Sequence, residues 1–256
     1  MNSGGKTIWV VEATSSLGRS LVEKLVECGH FVIASGSDNR VLGSLIRERR
    51  GAVTGLSIDP SNPASVAAAG KRLLELTDRL DVLVVNSWER ELSGEARIDA
   101  ELCHRQVETN YLAMVRCVET ALPLLQNSRS PYIVCPGSAV TRLPLAGAVA
   151  YGASAAAAEY FARALAVELG ERNIDISIVR MGGLNSGHQE GRGLLSYLTI
   201  AADEAARRLI AAMDNRQSVI YLPGAMRWWT ALITVLPGLW MRGILANINR
   251  RSGATW

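Results

Sequence analysis

KTIWVVEATSSLGRSLVEKLVECGHFVIA, residues 6–34, decides the fold. It opens at Lys6–Val11 on a short β-rich run, TIWVV, whose lack of polar alternation fits a strand buried on both faces. Thr14–Gly18 reads as a turn of small residues. Arg19–Cys28 then reads as a helix, with Leu21, Val22, Leu25 and Val26 on one stripe and Gly29 as its natural C′ residue. Phe31–Ala34 is the second strand. Strand, turn, helix and strand in this order make the βαβ unit of a doubly wound parallel sheet.

The alternation continues outward. Helices are expected over Val41–Arg50, Ala64–Leu76, Ile98–Gln126 and Asp203–Met213, and strands over Ala52–Ile58, Asp81–Asn86, Tyr132–Cys135, Ile174–Val179 and Ser218–Leu222. The whole predicts an α/β fold, a Rossmann-type doubly wound parallel sheet in a single domain over residues 1–222, with a hydrophobic extension over 223–256. Ligands of such sheets bind beyond the carboxyl ends of the strands. Glu12, Asn86, Ser138 and Gly182 fall at such ends and are expected to converge on one cleft.

Composition narrows the function. With 256 residues and 48% hydrophobic content the chain can bury a substantial core. Lys+Arg 27 against Asp+Glu 24, without a basic block, disfavours a nucleic-acid partner. Cys28, Cys103, Cys117 and Cys135 show no CxxC spacing and read as reduced, buried thiols. His30, His104 and His188 lack metal spacing, so no metal is expected. The first residues carry no signal-peptide apolar region before Glu12, and a cytoplasmic location is expected.

The chemistry centres on SAVTRLPLAGAVAYGASAAAAEYFARALAVELG, residues 138–170. Ser138 ends an apolar run, and Tyr151 opens a long alanine-rich helix thirteen residues later. With the βαβ opening, this resembles the short-chain dehydrogenase/reductase family over nearly the whole chain, roughly 6 to 222. The resemblance implies that Ser138 bonds a substrate carbonyl, that Tyr151 is the general acid/base, and that Asn110 helps hold a proton-relay water. The family's lysine, four residues after the tyrosine, is Ala155 here. That lysine favours the phenolate of a side chain whose free pKa is about 10. Arg180, at the end of the sixth strand, is the nearest replacement by topology.

The resemblance also implies a nucleotide site, and the sequence departs from it. The family's Thr-Gly-x-x-x-Gly-x-Gly loop aligns with Val11–Gly18, where Glu12 and Ser16 replace glycines, Leu17 follows, and Gly18 alone survives. Its Asn-Asn-Ala-Gly reads Val85-Asn86-Ser87-Trp88, and the indole is expected either to pack in the adjacent loop or to fill the nucleotide cleft. Asp59 stands where the family sets an aspartate against adenine, and Ser186, after Gly182, stands for a carboxamide-contacting threonine. The second strand is followed by Ser37 and no acidic ribose ligand, so NADP(H) is favoured if any dinucleotide binds.

The segment Trp228–Met241 holds fourteen uncharged residues around Pro237, short of the ~20 a spanning helix needs. It is expected to cover the substrate cleft or an interface, with peripheral membrane contact through its aromatics and Arg242, Arg250 and Arg251 as the lesser reading. The small-residue face of Ala156–Leu169 suits helix packing, and the resemblance implies a homo- or hetero-oligomer with a subunit of the same type. Loss of Gly-loop, lysine and cleft glycine together points to a homologue with impaired dinucleotide binding, a non-catalytic or weakly active partner subunit. Two alternatives stand beside it. One is an NADP(H)-dependent carbonyl reductase on a hydrophobic substrate whose lysine has been replaced by Ala155. The other is cofactor-free chemistry using Ser138 and Tyr151.

Overall fold

The computed structural model describes residues 5–92, 98–142, 147–185 and 199–235. Ser186, His188, the Leu236–Met241 part of the apolar segment and Arg242, Arg250 and Arg251 lie outside the described residues. The chain runs β1 (Thr7–Val11), α1 (Ser16–Glu27), β2 (Phe31–Gly36), α2 (Asn39–Glu48), β3 (Val53–Ser57), α3 (Pro63–Leu76), β4 (Val82–Val85) and α4 (Ala100–Val107). A π-helical turn at Glu108–Leu112 leads into α5 (Ala113–Leu125), β5 (Tyr132–Ser138), a 3-10 turn at Ala139–Arg142 and α6 (Val149–Gly170). Then come β6 (Asp175–Met181), β7 (Gly183–Asn185), β8 (Thr199–Ala201), α7 (Ala202–Asp214), β9 (Val219–Leu222) and α8 (Met226–Val235).

Seven strands form one parallel sheet in the order β3-β2-β1-β4-β5-β6-β9, as the alternation predicts. Both faces are covered, and residues of one strand serve opposite layers. Ile8 and Val10 join the layer built with Leu21 and Leu25 of α1, Leu45 of α2 and Leu209 of α7. Trp9 and Val11 join the other, with Leu73 of α3, Met114 and Ala121 of α5 and Ala162 of α6. Most side chains of a strand covered on both faces are apolar for this reason, with little alternation to read, and Ser35, Ser177 and Arg180 are the buried polar exceptions.

Several boundaries differ from expectation. Helix α1 begins at Ser16, because Ser15 is its N-cap and accepts the Gly18 N–H at 3.1 Å. The expected turn is therefore partly the first helical turn. Strand β5 runs on to Ser138, and α6 starts at Val149, before Tyr151. The single helix expected over 98–126 contains the π turn at Asn110. The small β7–β8 sheet was not expected; α8 falls at the start of the apolar segment, where a covering helix was expected, and packs against β9 and the 3-10 turn. Of the four thiols only Cys117 and Cys135 are buried, and burial pushes both up to about 12; Cys28 is exposed and Cys103 half-buried, which corrects the all-buried reading.

Candidate active site

Strands β1 and β4 lie side by side where the order of connection reverses, the switch point at which such sheets open a crevice. Their register pairs Val11 with Val85, so Glu12 and Asn86 leave the sheet together. Glu12 adopts φ 55, in the left-handed region that costs a side-chain-bearing residue about 1–2 kcal/mol. The turn it makes is knit by Ser15 and Asn86. Ser15 Oγ donates to the Glu12 carbonyl at 3.0 Å, while Asn86 Nδ2 donates to that carbonyl at 3.2 Å and to Ser15 Oγ at 2.8 Å.

Gly18 packs under this turn. A Cβ there would lie 2.2 Å from the Glu12 carbonyl oxygen and 2.7 Å from Ala13 Cα, both backbone atoms that cannot swing aside. Gly18→Ala is therefore expected to cost about 1–3 kcal/mol, the range for overpacking. Urea denaturation would show it; an unchanged midpoint would contradict the close approach.

Between the two strand ends sits a cleft of about 360 Å³, lined by Glu12, Asp59, Asn86, Trp88, Glu89 and Thr109 among others, with no lysine, arginine or histidine among the described residues that line it. Of the predicted nucleotide residues, Glu12, Asp59, Asn86 and Trp88 meet here. Ser16, Gly18, Ser37 and Gly182 do not line it, and Leu17 is buried in the core. Burial, and then the neighbouring Asp59 charge, raise the Glu12 carboxyl above its ordinary value of 4.5. A carboxyl raised by folding favours the folded state most at low pH and loses that contribution as pH rises through its folded pKa. Glu12→Gln is thus expected to be more stable than the parent at neutral pH, with the gap closing as pH falls toward 4.5. Chemical denaturation of both proteins across that range checks the sign.

Behind Trp88, and not lining the cleft, the Tyr151 hydroxyl donates to Ser138 Oγ at 2.8 Å and accepts from Trp88 Nε1 at 3.0 Å. The Trp88 and Tyr151 rings meet edge to face at 5.9 Å. Trp88 thus lines the cleft with its N–H turned to Tyr151, and the cleft stays open at about 360 Å³, so the indole does not fill it. Asn110, fully buried in the π turn, clamps the loop after β4: its Oδ1 accepts the Glu89 N–H at 2.7 Å, and its Nδ2 lies 2.9 Å from the Glu89 carbonyl. The same Nδ2 is 3.1 Å from both Gln106 Oε1 and Ser154 Oγ.

Ala155, one helical turn after Tyr151, is fully buried. The chain's three lysines stand elsewhere. Lys6 precedes β1 at the amino edge of the sheet, Lys24 pairs with Asp203 at 2.6 Å, and Lys71 is exposed on α3. Arg180 does not replace the lysine either. Its Nη2 bonds Glu159 Oε1 at 2.5 Å, its Nε reaches Glu159 Oε2 at 3.3 Å, and its Nη1 bonds the Tyr221 hydroxyl at 2.5 Å. Burial works against this charge, but the Glu159 contacts outweigh it and raise the guanidinium pKa.

Sequence reasoning missed Ser15, Gln106, Ser154 and Glu159. A serine just ahead of an amphipathic helix is an N-cap signal that marks Ser15. Helical spacing sets Gln106 one turn before Asn110, and Ser154 in the turn after Tyr151. Glu159 and Arg180 are 21 positions apart on different elements, and no local pattern joins them.

The fold is shared with a short-chain dehydrogenase of Streptomyces avermitilis, TM-score 0.79 at 22% identity with all of both chains covered. It is shared also with the RhlG/NADP active-site complex of Pseudomonas aeruginosa, TM-score 0.66 at 23% identity over 71% of this chain and 73% of that one. In sequence the chain is 26% identical to mouse dehydrogenase/reductase SDR family member 7B, over 94% of this chain and 80% of that protein. It is 24% identical to the 3-oxoacyl-(acyl-carrier-protein) reductase FabG of Escherichia coli (strain K12), over 87% and 91%. The short chain dehydrogenase family model matches residues 6–193. A sheet of this order, a Ser138–Tyr151 pair at its rim and a match over most of the chain agree, and the protein belongs to the short-chain dehydrogenase family.

Proposed function

We propose that this chain is a non-catalytic or weakly active member of the family that serves as a partner subunit of an oxidoreductase. One observation carries the reading: the Tyr151 hydroxyl is tied between Ser138 and the Trp88 indole, with Ala155 where the family's lysine would stand. NADP(H), the cofactor implied by the family, does not fit the residues present. The turn that would face its diphosphate carries Glu12 in place of glycine, and Glu89 adds a second carboxylate to a cleft that holds no cation among the described residues lining it. No hydride step is therefore routed through this site.

The partner half of the proposal draws on α6. Its outward face exposes Ala153, Ala156, Tyr160 and Val167, with Tyr160 71% and Val167 76% accessible. A homo- or hetero-oligomeric contact with a subunit of the same fold would bury that stripe. Among the described residues no helix is long and apolar enough to cross a membrane.

The rival reading, an NADP(H)-dependent carbonyl reductase lacking only its lysine, is favoured by the reductases among the relatives. Two measurements separate them. Ala155→Lys alone is expected to leave NADPH oxidation with a hydrophobic ketone at background, because Glu12 and Trp88 remain; turnover in that single variant would establish the rival. Light scattering at low micromolar concentration is expected to give an oligomer, and a stable monomer of 27.6 kDa would defeat the partner-subunit proposal.

A further inference from the structure

Charge is divided unevenly along this chain. Arg216 is the last arginine seen in an ion pair, with Asp175 at 2.6 Å. Beyond it, residues 217–256 carry four arginines, Arg227, Arg242, Arg250 and Arg251, and neither Asp nor Glu. The first 216 residues hold the other 23 of the 27 Lys and Arg against all 24 Asp and Glu, so the positive excess lies wholly in the last forty. Four of the six tryptophans, Trp228, Trp229, Trp240 and Trp256, are there too, and the fourteen positions Trp228–Met241 are uncharged. Such an asymmetry calls for a partner of opposite charge. Joined to tryptophan and an uncharged apolar run, it is the composition of a segment that lies in a lipid headgroup layer.

The helix that begins the segment, α8, shows which side is free. Met226 and Thr230, one turn apart, are buried, and the helix packs against β9 and the 3-10 turn. Arg227, Trp228 and Ala231 lie on the opposite side and are exposed, Trp228 at 76%. A helix that closed a cleft of its own subunit would turn its largest aromatic inward; this one turns it out, next to an arginine with no carboxylate partner among the described residues. We propose that α8 and the apolar run it begins are a docking surface for an anionic lipid membrane, with the Trp228 side of α8 entering the headgroup layer and Arg227, Arg242, Arg250 and Arg251 supplying the attraction. A second copy of the chain suits this surface less, since an isologous contact brings the same arginines of both copies together. The inference does not depend on how the cleft is read.

Flotation of the full chain with lipid vesicles tests it. Vesicles of equal parts phosphatidylcholine and phosphatidylserine are expected to bind at least about tenfold more tightly than phosphatidylcholine alone. The preference is expected to fade as salt is raised from about 0.1 M to about 1 M. Trp228→Ala is expected to weaken binding to the mixed vesicles about tenfold. Arg227→Gln is expected to weaken it about fivefold, the worth of one basic residue near an anionic surface, and Arg242→Gln, Arg250→Gln and Arg251→Gln together about a hundredfold. Trp228 and Arg227 are exposed, so their variants are expected to keep the parent's urea midpoint. No binding to the mixed vesicles, equal affinity for both lipids, or unaltered binding in Trp228→Ala or in both arginine variants would overturn the inference. If Trp228→Ala instead splits an oligomer into monomers by light scattering with vesicle binding unaltered, the face belongs to a second copy and the inference falls.

Discussion

A chain carrying Glu12→Gly, Trp88→Gly and Ala155→Lys together is expected to oxidise NADPH with a hydrophobic ketone, while each single variant stays near background. The expectation follows from three obstacles that act in series. Removing the Glu12 carboxylate relieves ~3 kcal/mol of repulsion toward a phosphate, about two decades in affinity. Glycine also relaxes a backbone held at φ 55, worth about 1–2 kcal/mol. Removing the indole frees the Tyr151 hydroxyl, which now accepts from Trp88 at 3.0 Å, to meet a substrate oxygen. An ammonium close to a phenol favours the phenolate by about 1–3 pKa units, up to a thousandfold in the reactive form. Residues that act as one unit are strongly non-additive, so the triple variant should exceed the sum of the singles. Loss of absorbance at the reduced-nicotinamide band reads the result. An active Ala155→Lys single variant would show that the cleft was open throughout.

That this machinery could be anticipated at all reflects how the fold is encoded. The strands TIWVV, VLVV and YIVC lie between two helical layers, so nearly every position is apolar and the run itself marks the element. Strand ends then place Glu12, Asn86 and Ser138 without any tertiary information. What stayed hidden is what depends on side chains reaching between elements. Nothing in the string Val85-Asn86-Ser87-Trp88 says that the indole meets Tyr151, 63 positions away, rather than the adjacent loop. Nor does it say that Asn110 clamps the Glu89 backbone on both its N–H and carbonyl. Helix starts shifted for a simpler reason: Ser15 and Ala148 sit at caps preceded by the small residues Thr14 and Gly147, and small residues mark a turn and a first helical turn alike. Arg180 looked free by topology because its strand end points to the cleft side, whereas its partner lies on α6.

Breaking that hidden pair should give the largest stability change in the molecule. Glu159 and Arg180 are 3% and 6% accessible, and their contact ties α6 to β6, with Tyr221 extending it to β9. Thr141 joins the same group, its Oγ1 2.8 Å from Glu159 Oε2 and 2.9 Å from the Ser138 carbonyl, so the pair also braces the residue that holds Tyr151. Removing one partner of a buried ion pair leaves the other charge without compensation, at a cost of about 3–5 kcal/mol. Arg180→Met and Glu159→Leu are each expected to fall in that range by urea denaturation. The double variant should be far less destabilised than their sum, because two apolar side chains need no partner and their packing offsets the lost pair. A loss below about 1 kcal/mol in Arg180→Met would mean that the guanidinium behaves as a surface ion pair, screened by water. Additive losses in the double variant would mean that the two charges are held by their other contacts and not by each other. If the cycle couples as expected, the pair contributes chiefly orientation: it fixes how α6 presents Tyr151 over the end of β5, in a chain whose position 155 is alanine.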